Sequence, residues 1–174
     1  MKRRKLLKNT LLLTTAGVLG SGVWLLNGYD PEKLTIEHAI KDLQRINIQQ
    51  AGFAGGWNLS QVLNHLAQSI EYSISGYPVH KSERFKQNIG QLAFSVFTYR
   101  GKMSHDLLEP IPGAPRLEAN DAALAMSRLI TALNDFRAHK GALKAHFAFG
   151  QLTHAEYTYA HVMHINNHLE SLLV

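Results

Sequence analysis

Apolar residues recur every three to four positions along most of the chain, in stretches separated by glycine, proline and polar residues. This spacing is typical of amphipathic helices. It predicts helices over about 32–48, from Asn58 to Gly76, over about 82–99, from Asn120 or Asp121 to about Lys140, and from Thr153 toward the C-terminus. We find no alternating run that predicts a strand, and no internal repeat. The expected fold is therefore all-α, an up-and-down bundle of four to five helices.

Two of these helices begin with a capping box. Asn58 is followed three residues later by Gln61, and Thr153 by Glu156, so each pair can satisfy the first free backbone N–H groups. The apolar faces then give a candidate core. Its members, helix by helix, are Leu34, Ala39, Leu43 and Ile46; Leu59, Val62, Leu63, Leu66 and Ile70; Phe85, Ile89, Leu92, Phe94, Val96 and Phe97; Leu124, Met126, Leu129, Ile130, Leu133 and Phe136; and Thr158, Val162, Ile165, Leu169 and Leu172.

Charge and cysteine content narrow the function. The net charge of +5 suggests a nucleic-acid binder, but five of the 18 basic residues precede the first acidic residue, Asp30. The remainder, 18 − 5 = 13, equals the 13 acidic residues, so no basic surface is left to follow a phosphate backbone. The chain has no cysteine, which excludes disulfides, thiolate ligands and a cysteine nucleophile. A metal site would have to use its ten histidines or its carboxylates.

The first 29 residues have the pattern of an export signal. A basic start is followed by an uncharged, mostly apolar run from Thr10 to Leu26, which is short for a membrane span. Its Arg3-Arg4-Lys5-Leu6-Leu7-Lys8 resembles the twin-arginine motif. We therefore predict two parts, a twin-arginine-like signal or N-terminal anchor over 1–29 and a helical bundle over 30–174. The protein is expected to be exported, either periplasmic or anchored at the outer face of the cytoplasmic membrane.

Three histidines have the spacing of metal ligands. His164 and His168 are four residues apart, which places them about 40° apart around a helix and one turn along it. Two imidazoles in this arrangement can bind one divalent metal ion. His65 lies beside the apolar face of the second helix, next to Leu66, as His164 lies next to Ile165. A site made of imidazoles suits nickel, zinc or iron, and spacing does not choose among them.

Two motifs carry a resemblance to a known superfamily. They are Trp57-Asn-Leu-Ser-Gln-Val-Leu-Asn-His65-Leu, and His146-Phe-Ala-Phe-Gly-Gln-Leu-Thr-His-Ala-Glu-Tyr157 leading into His164-Ile-Asn-Asn-His168-Leu169. From about Glu32 to Val174, the chain resembles the DinB/YfiT-like metal-dependent bundles. The resemblance implies a DinB-like fold and a metal bound by His65, His164 and His168. It also implies a metal-dependent enzyme of hydrolase or transferase type.

The remaining polar candidates have open roles. His161 is either a partner of a ligand or an alternative ligand, and His146 either stabilises a turn or acts as an acid or base. Tyr157 is either a core residue or a donor to a metal-bound ligand, and Glu71 is a further acid/base candidate. His154 is expected to be solvated. The histidines without informative spacing are expected at the surface: His38, His80, His105 and His139.

The resulting hypothesis is an exported bundle with a three-histidine divalent metal site that acts on a small-molecule substrate. Three imidazoles leave positions open for water or substrate, which is the pattern of a catalytic site. The alternative is a non-catalytic bundle that binds a metal or a partner. Membrane contact is expected only through the N-terminal segment, nucleic acid is not expected as a partner, and a homodimer stays open.

Overall fold

The computed structural model describes residues 30–53 and 56–173, so the predicted export segment lies outside the described residues. Five helices account for most of the fold: α1 (Ile36–Gln44), α2 (Leu59–Ser75), α3, α4 (Ala122–Ala138) and α5 (His154–Leu169). Helix α3 is continuous but composite, with α-helical Glu83–Phe85, π-helical Lys86–Gly90 and α-helical Gln91–Arg100. The expected all-α fold of four to five helices is confirmed.

The helix starts follow the capping chemistry. Both predicted capping boxes are present, at Asn58 and at Thr153. Helix α1 is shorter than predicted, because the Thr35 side chain accepts from His38 N and starts the helix there. Asp30 instead accepts from Glu32 N and begins a short 3-10 turn, Pro31–Lys33.

The core lies among α1, α2, α4 and α5, and α2 packs most extensively against α4. Helix α3 lies outside this group and packs mainly on α5. For this reason two residues expected in the core are exposed on α3, Ile89 (60 %) and Leu92 (67 %). Leu124, in the first turn of α4, was also expected in the core and is 70 % exposed. Periodicity identified these helices correctly but could not show that α3 is covered on one side only. A homodimer stays open, as it was from the sequence.

Two short strands modify the helical prediction. Strand β1 (Gly52–Phe53) pairs antiparallel with β2 (Leu172–Leu173), with Gly52 opposite Leu173. The expectation of no strand was therefore wrong at this point, and Leu172 extends a strand rather than the apolar face of α5. Two residues are too few to show alternation, so the sequence carried no signal for the pair. Within the described ranges, no helix combines the length and the apolar character needed to cross a membrane.

The π-helical turn of α3 holds a loop close to the helix. A Cβ added to Gly90 would collide with the carbonyl oxygen of Ala148, so only glycine fits at this contact. Ala148 belongs to a tight turn in which His146 and Gly150 exchange both backbone hydrogen bonds. Gly90 thus fixes the position of the His146 turn against α3.

Candidate metal centre

Four histidines converge in the interior: His65, His105, His164 and His168. One ring nitrogen from each lies within 4.8 Å of those of the other three. Nε2 of His65 and Nε2 of His164 lie 3.2 Å apart. The structure therefore brings together all three predicted metal ligands and adds a fourth histidine that the sequence had placed at the surface.

Helix geometry positions three of the four. His65 comes from α2, while His164 and His168 project one turn apart from α5. His105 comes from the loop between α3 and α4 and is oriented by Asn167, whose Oδ1 lies 2.8 Å from His105 Nδ1. A carbonyl oxygen accepts, so Nδ1 carries the proton and Nε2 is left with its lone pair. Metal-binding histidines are usually oriented in this way.

The ring nitrogens fit a metal ion. Nε2 of His105 and Nε2 of His168 are both buried and have no hydrogen-bond partner among the described residues. Buried polar atoms are normally paired, so two such atoms beside two more imidazoles favour a bound ligand at this point. Two nitrogens bound to one tetrahedral ion at about 2.0–2.1 Å lie roughly 3.3 Å apart, close to the separation of His65 and His164. The donor set suits a divalent metal.

The electrostatics keep these imidazoles neutral, as metal binding requires. The pKa of His65 is lowered to about 4, mainly by burial and to a smaller extent by the charge of His105. Burial, and then the charges of His65 and His105, lowers the pKa of His168 to about 3. The pKa of His164 lies well below its ordinary value for the same reasons, and burial also lowers the pKa of His105. Each ring would repel a proton on its neighbours, whereas one shared cation would attract all four.

A cavity of about 290 Å³ reaches this cluster. Three of the four histidines line it, namely His65, His105 and His164. Aromatic and aliphatic side chains form much of the remaining wall: Phe85, Phe97, Met103, Ile111, Phe147 and Phe149. Lys81 and Glu109, both about half exposed, complete the lining with Nζ and Oε1 4.0 Å apart. A small molecule in this space would contact the cluster and a largely apolar surface.

The sequence comparison assigns a family. The family model described as "Protein of unknown function (DUF1569)" matches residues 30–173, which is most of the chain. The chain belongs to this family. No curated protein and no solved structure matches it.

His146 and His161 line the same cavity outside the four-histidine cluster. Nδ1 of His146 accepts from the backbone N–H groups of Ala148 (3.1 Å) and Phe149 (3.2 Å). The role of His146 in stabilising a turn is thus visible directly. His161 lies on α5 one turn before His164, and its buried Nε2 has no partner among the described residues.

The other acid/base candidates have structural partners. The Tyr157 hydroxyl donates to the carbonyl oxygen of Lys144 at 2.7 Å, and its side chain is fully buried. Burial raises the pKa of Tyr157. Glu71 forms a two-point ion pair with Arg128 and does not line the cavity. Neither group is placed to act on a ligand in the cavity.

The surface prediction for His105 was wrong, and the reason is physical. A loop has no periodicity, so nothing in the sequence relates position 105 to positions 65, 164 and 168. The one available signal was Asn167, a polar residue on the buried side of α5 that needs a partner. Of the other histidines, His80 is exposed, while His38 and His139 are partly exposed. His154 is exposed as expected, but its Nε2 donates to the Phe136 carbonyl oxygen at 3.0 Å.

Proposed function

We propose that this DUF1569 protein is an exported, divalent metal-dependent enzyme of hydrolase or transferase type that acts on a small molecule. The proposal rests on one observation: three of the four clustered histidines line a cavity that is large enough for a substrate. A site serving stability alone has no need of such access. Structural metal sites are closed, whereas catalytic ones keep a position open.

The residues have separable roles in this proposal. His65, His105, His164 and His168 hold the metal, and Asn167 orients His105. A divalent metal bound there supplies Lewis-acid chemistry, which polarises a substrate oxygen or lowers the pKa of a water or thiol. The apolar walls exclude water and so strengthen every electrostatic interaction inside.

The DinB-like relationship and the export route belong to the same proposal. One histidine on α2 and an i, i+4 pair on α5 support the relationship, because the superfamily pattern described above has this placement. The export route is supported by the basic and apolar pattern of residues 1–29. Export places the site in the periplasm or at the outer face of the cytoplasmic membrane.

One observation favours the alternative, a non-catalytic metal-binding bundle. Four imidazoles fill the shell of a four-coordinate ion and leave no position for substrate. Five- or six-coordinate ions such as nickel or iron would keep open positions with the same four histidines. The choice of metal therefore bears directly on the function.

The test is turnover by the full chain, loaded separately with zinc, nickel and iron(II). Small aromatic esters serve as hydrolysis substrates, and a thiol with an electrophilic acceptor tests transfer. We expect turnover with at least one metal, and its loss in a His164→Ala, His168→Ala double variant. Stoichiometric metal without turnover of either substrate class would favour the non-catalytic bundle.

A further inference from the structure

Two histidines of the cavity are left without a role by the metal site. His146 is 7 % exposed and His161 is 2 % exposed, and both line the cavity. The Tyr157 ring packs against both, with ring centres 6.1 Å from His146 and 5.2 Å from His161. We call these two residues the histidine pair.

The structure fixes the proton position on His146. Its Nδ1 accepts two backbone N–H groups, so the proton of the neutral ring must lie on Nε2. The two nitrogens point to opposite sides of an imidazole, so Nε2–H faces away from the turn. That N–H has no hydrogen-bond partner among the described residues. The ring itself is held rigidly, stacked on Phe149 with centres 4.3 Å apart.

His161 presents a second unused nitrogen. Its Nε2 is buried and has no partner in the described part of the chain. The ring packs edge-on against Phe136, with centres 4.9 Å apart, and stacks on Tyr157. An uncompensated buried nitrogen destabilises a fold, and His161 lines the cavity, so a hydrogen bond from a ligand that reaches this nitrogen would offset the cost.

The cavity also restricts the charge and size of that ligand. Lys81 and Glu109 neutralise each other, so no lining side chain provides an unmatched charge for an ionic ligand. Much of the wall is apolar. A cavity of about 150 Å³ holds one benzene molecule, so about 290 Å³ holds a molecule of roughly two rings.

We propose that the histidine pair is a substrate-binding subsite for an uncharged oxygen, a carbonyl or hydroxyl, on a small and largely aromatic molecule. His146 donates from Nε2, and His161 provides the second hydrogen bond. The group bound at the pair is thus the neutral carbonyl or hydroxyl oxygen of an aromatic molecule, and not an ionised group. The reaction assigned to this substrate rests on the proposed function, but the subsite itself can be tested without metal.

The experiment compares two probes that differ in one oxygen. Acetophenone and ethylbenzene have the same ring and nearly the same size, but only acetophenone accepts a hydrogen bond. Their dissociation constants are measured by NMR titration of the full chain, metal-free and metal-loaded, with metal content determined on the same samples. We expect acetophenone to bind roughly tenfold more tightly than ethylbenzene in both forms.

Two variants locate the effect. His146→Asn keeps an acceptor for the backbone N–H groups that Nδ1 binds in the turn, but it removes the Nε2–H donor. The fold should therefore persist, while the preference for acetophenone over ethylbenzene falls. His161→Leu removes the unpartnered nitrogen, so it should lower the preference without lowering the melting temperature. A structural histidine would instead lower the melting temperature when replaced. His80→Ala, at an exposed position, is the matched control and should retain the preference.

The outcomes separate the two proposals. Three results would overturn the subsite. They are equal binding of both probes, no binding of either probe, and a tenfold preference for acetophenone that is unchanged in both variants. Failure to bind metal, with the acetophenone preference intact, would overturn the metal-dependent function and leave the subsite standing.

Discussion

Two groups of histidines meet at the cavity, and they are built differently. In the four-histidine cluster, ring nitrogens face one another across a few ångströms, and such an arrangement suits a cation. In the histidine pair, His146 Nε2–H and His161 Nε2 have no hydrogen-bond partner among the described residues, and such an arrangement suits a neutral hydrogen-bonding group. Burial keeps both groups uncharged. The same residue type thus serves two chemistries, according to what each nitrogen faces.

The largest expected effect is common to both groups and concerns pH. Burial lowers the pKa of His161 to about 3, beside the values of about 4 for His65 and about 3 for His168. At pH values between these pKa values and 6.5, the histidines of the unfolded chain bind protons, whereas the buried histidines of the metal-free folded protein do not. The stability that the folded protein gains by keeping these histidines neutral is therefore fully present above pH 6.5 and is lost progressively as the pH falls below it. Each such histidine contributes about 1.4 kcal/mol per pH unit.

Urea denaturation of the metal-free protein at pH 7.5, 6.5 and 5.5 checks this expectation. The unfolding free energy should fall by several kcal/mol between pH 6.5 and 5.5. His161→Leu should reduce the slope of unfolding free energy against pH by the equivalent of about one proton. Bound metal should prevent the loss of stability that comes from the four clustered histidines, but not the loss that comes from His161. A free energy of unfolding that stays constant down to pH 5.5 would contradict the burial of neutral histidines.

Gly90→Ala should impair the histidine pair without affecting the four-histidine cluster. The new Cβ would collide with the Ala148 carbonyl oxygen and push the His146 turn away from α3. We expect a loss of about 1–3 kcal/mol in the free energy of unfolding. The acetophenone preference should disappear while metal content is kept, because none of the four clustered histidines lies in this turn. Gly52→Ala is the control, since its added Cβ meets no atom within 4 Å. An unchanged preference in Gly90→Ala would show that the turn does not position His146.

Asn167→Leu should affect only the cluster. Without the Asn167 oxygen, His105 loses the hydrogen bond that fixes its proton on Nδ1. We expect a 10- to 100-fold weaker metal affinity, measured by competition with a chromogenic chelator. The acetophenone preference should stay unchanged. Metal affinity equal to that of the parent would remove His105 from the ligand set.

Glu71→Gln should have the smallest effect. Glu71 pairs with Arg128 near the surface, and exposed pairs contribute at most about 1 kcal/mol. Its loss should therefore change the free energy of unfolding by less than this, leaving metal content and turnover as in the parent. Turnover that falls a hundredfold in this variant would restore Glu71 as an acid/base residue.

The sequence predicted the parts of the site that depend on helical spacing. Asn58 and Thr153 identified the starts of α2 and α5, and these helices bring His65, His164 and His168 together. His105 and the donor role of His146 depend on loops, whose path is set by contacts distant in sequence. The close approach of Gly90 to Ala148 is one such contact, and nothing around residue 90 indicates it. Ile89 and Leu92 show the same limit, since their spacing predicts a helix but not what covers it.

The most direct test of the account is the metal content of the purified full chain, measured by elemental analysis beside the His164→Ala, His168→Ala double variant. We expect about one equivalent of a divalent metal in the parent and none in the variant, with the variant still folded by circular dichroism. No metal in the parent after incubation with zinc, nickel or iron(II), together with equal stability of the variant, would contradict it.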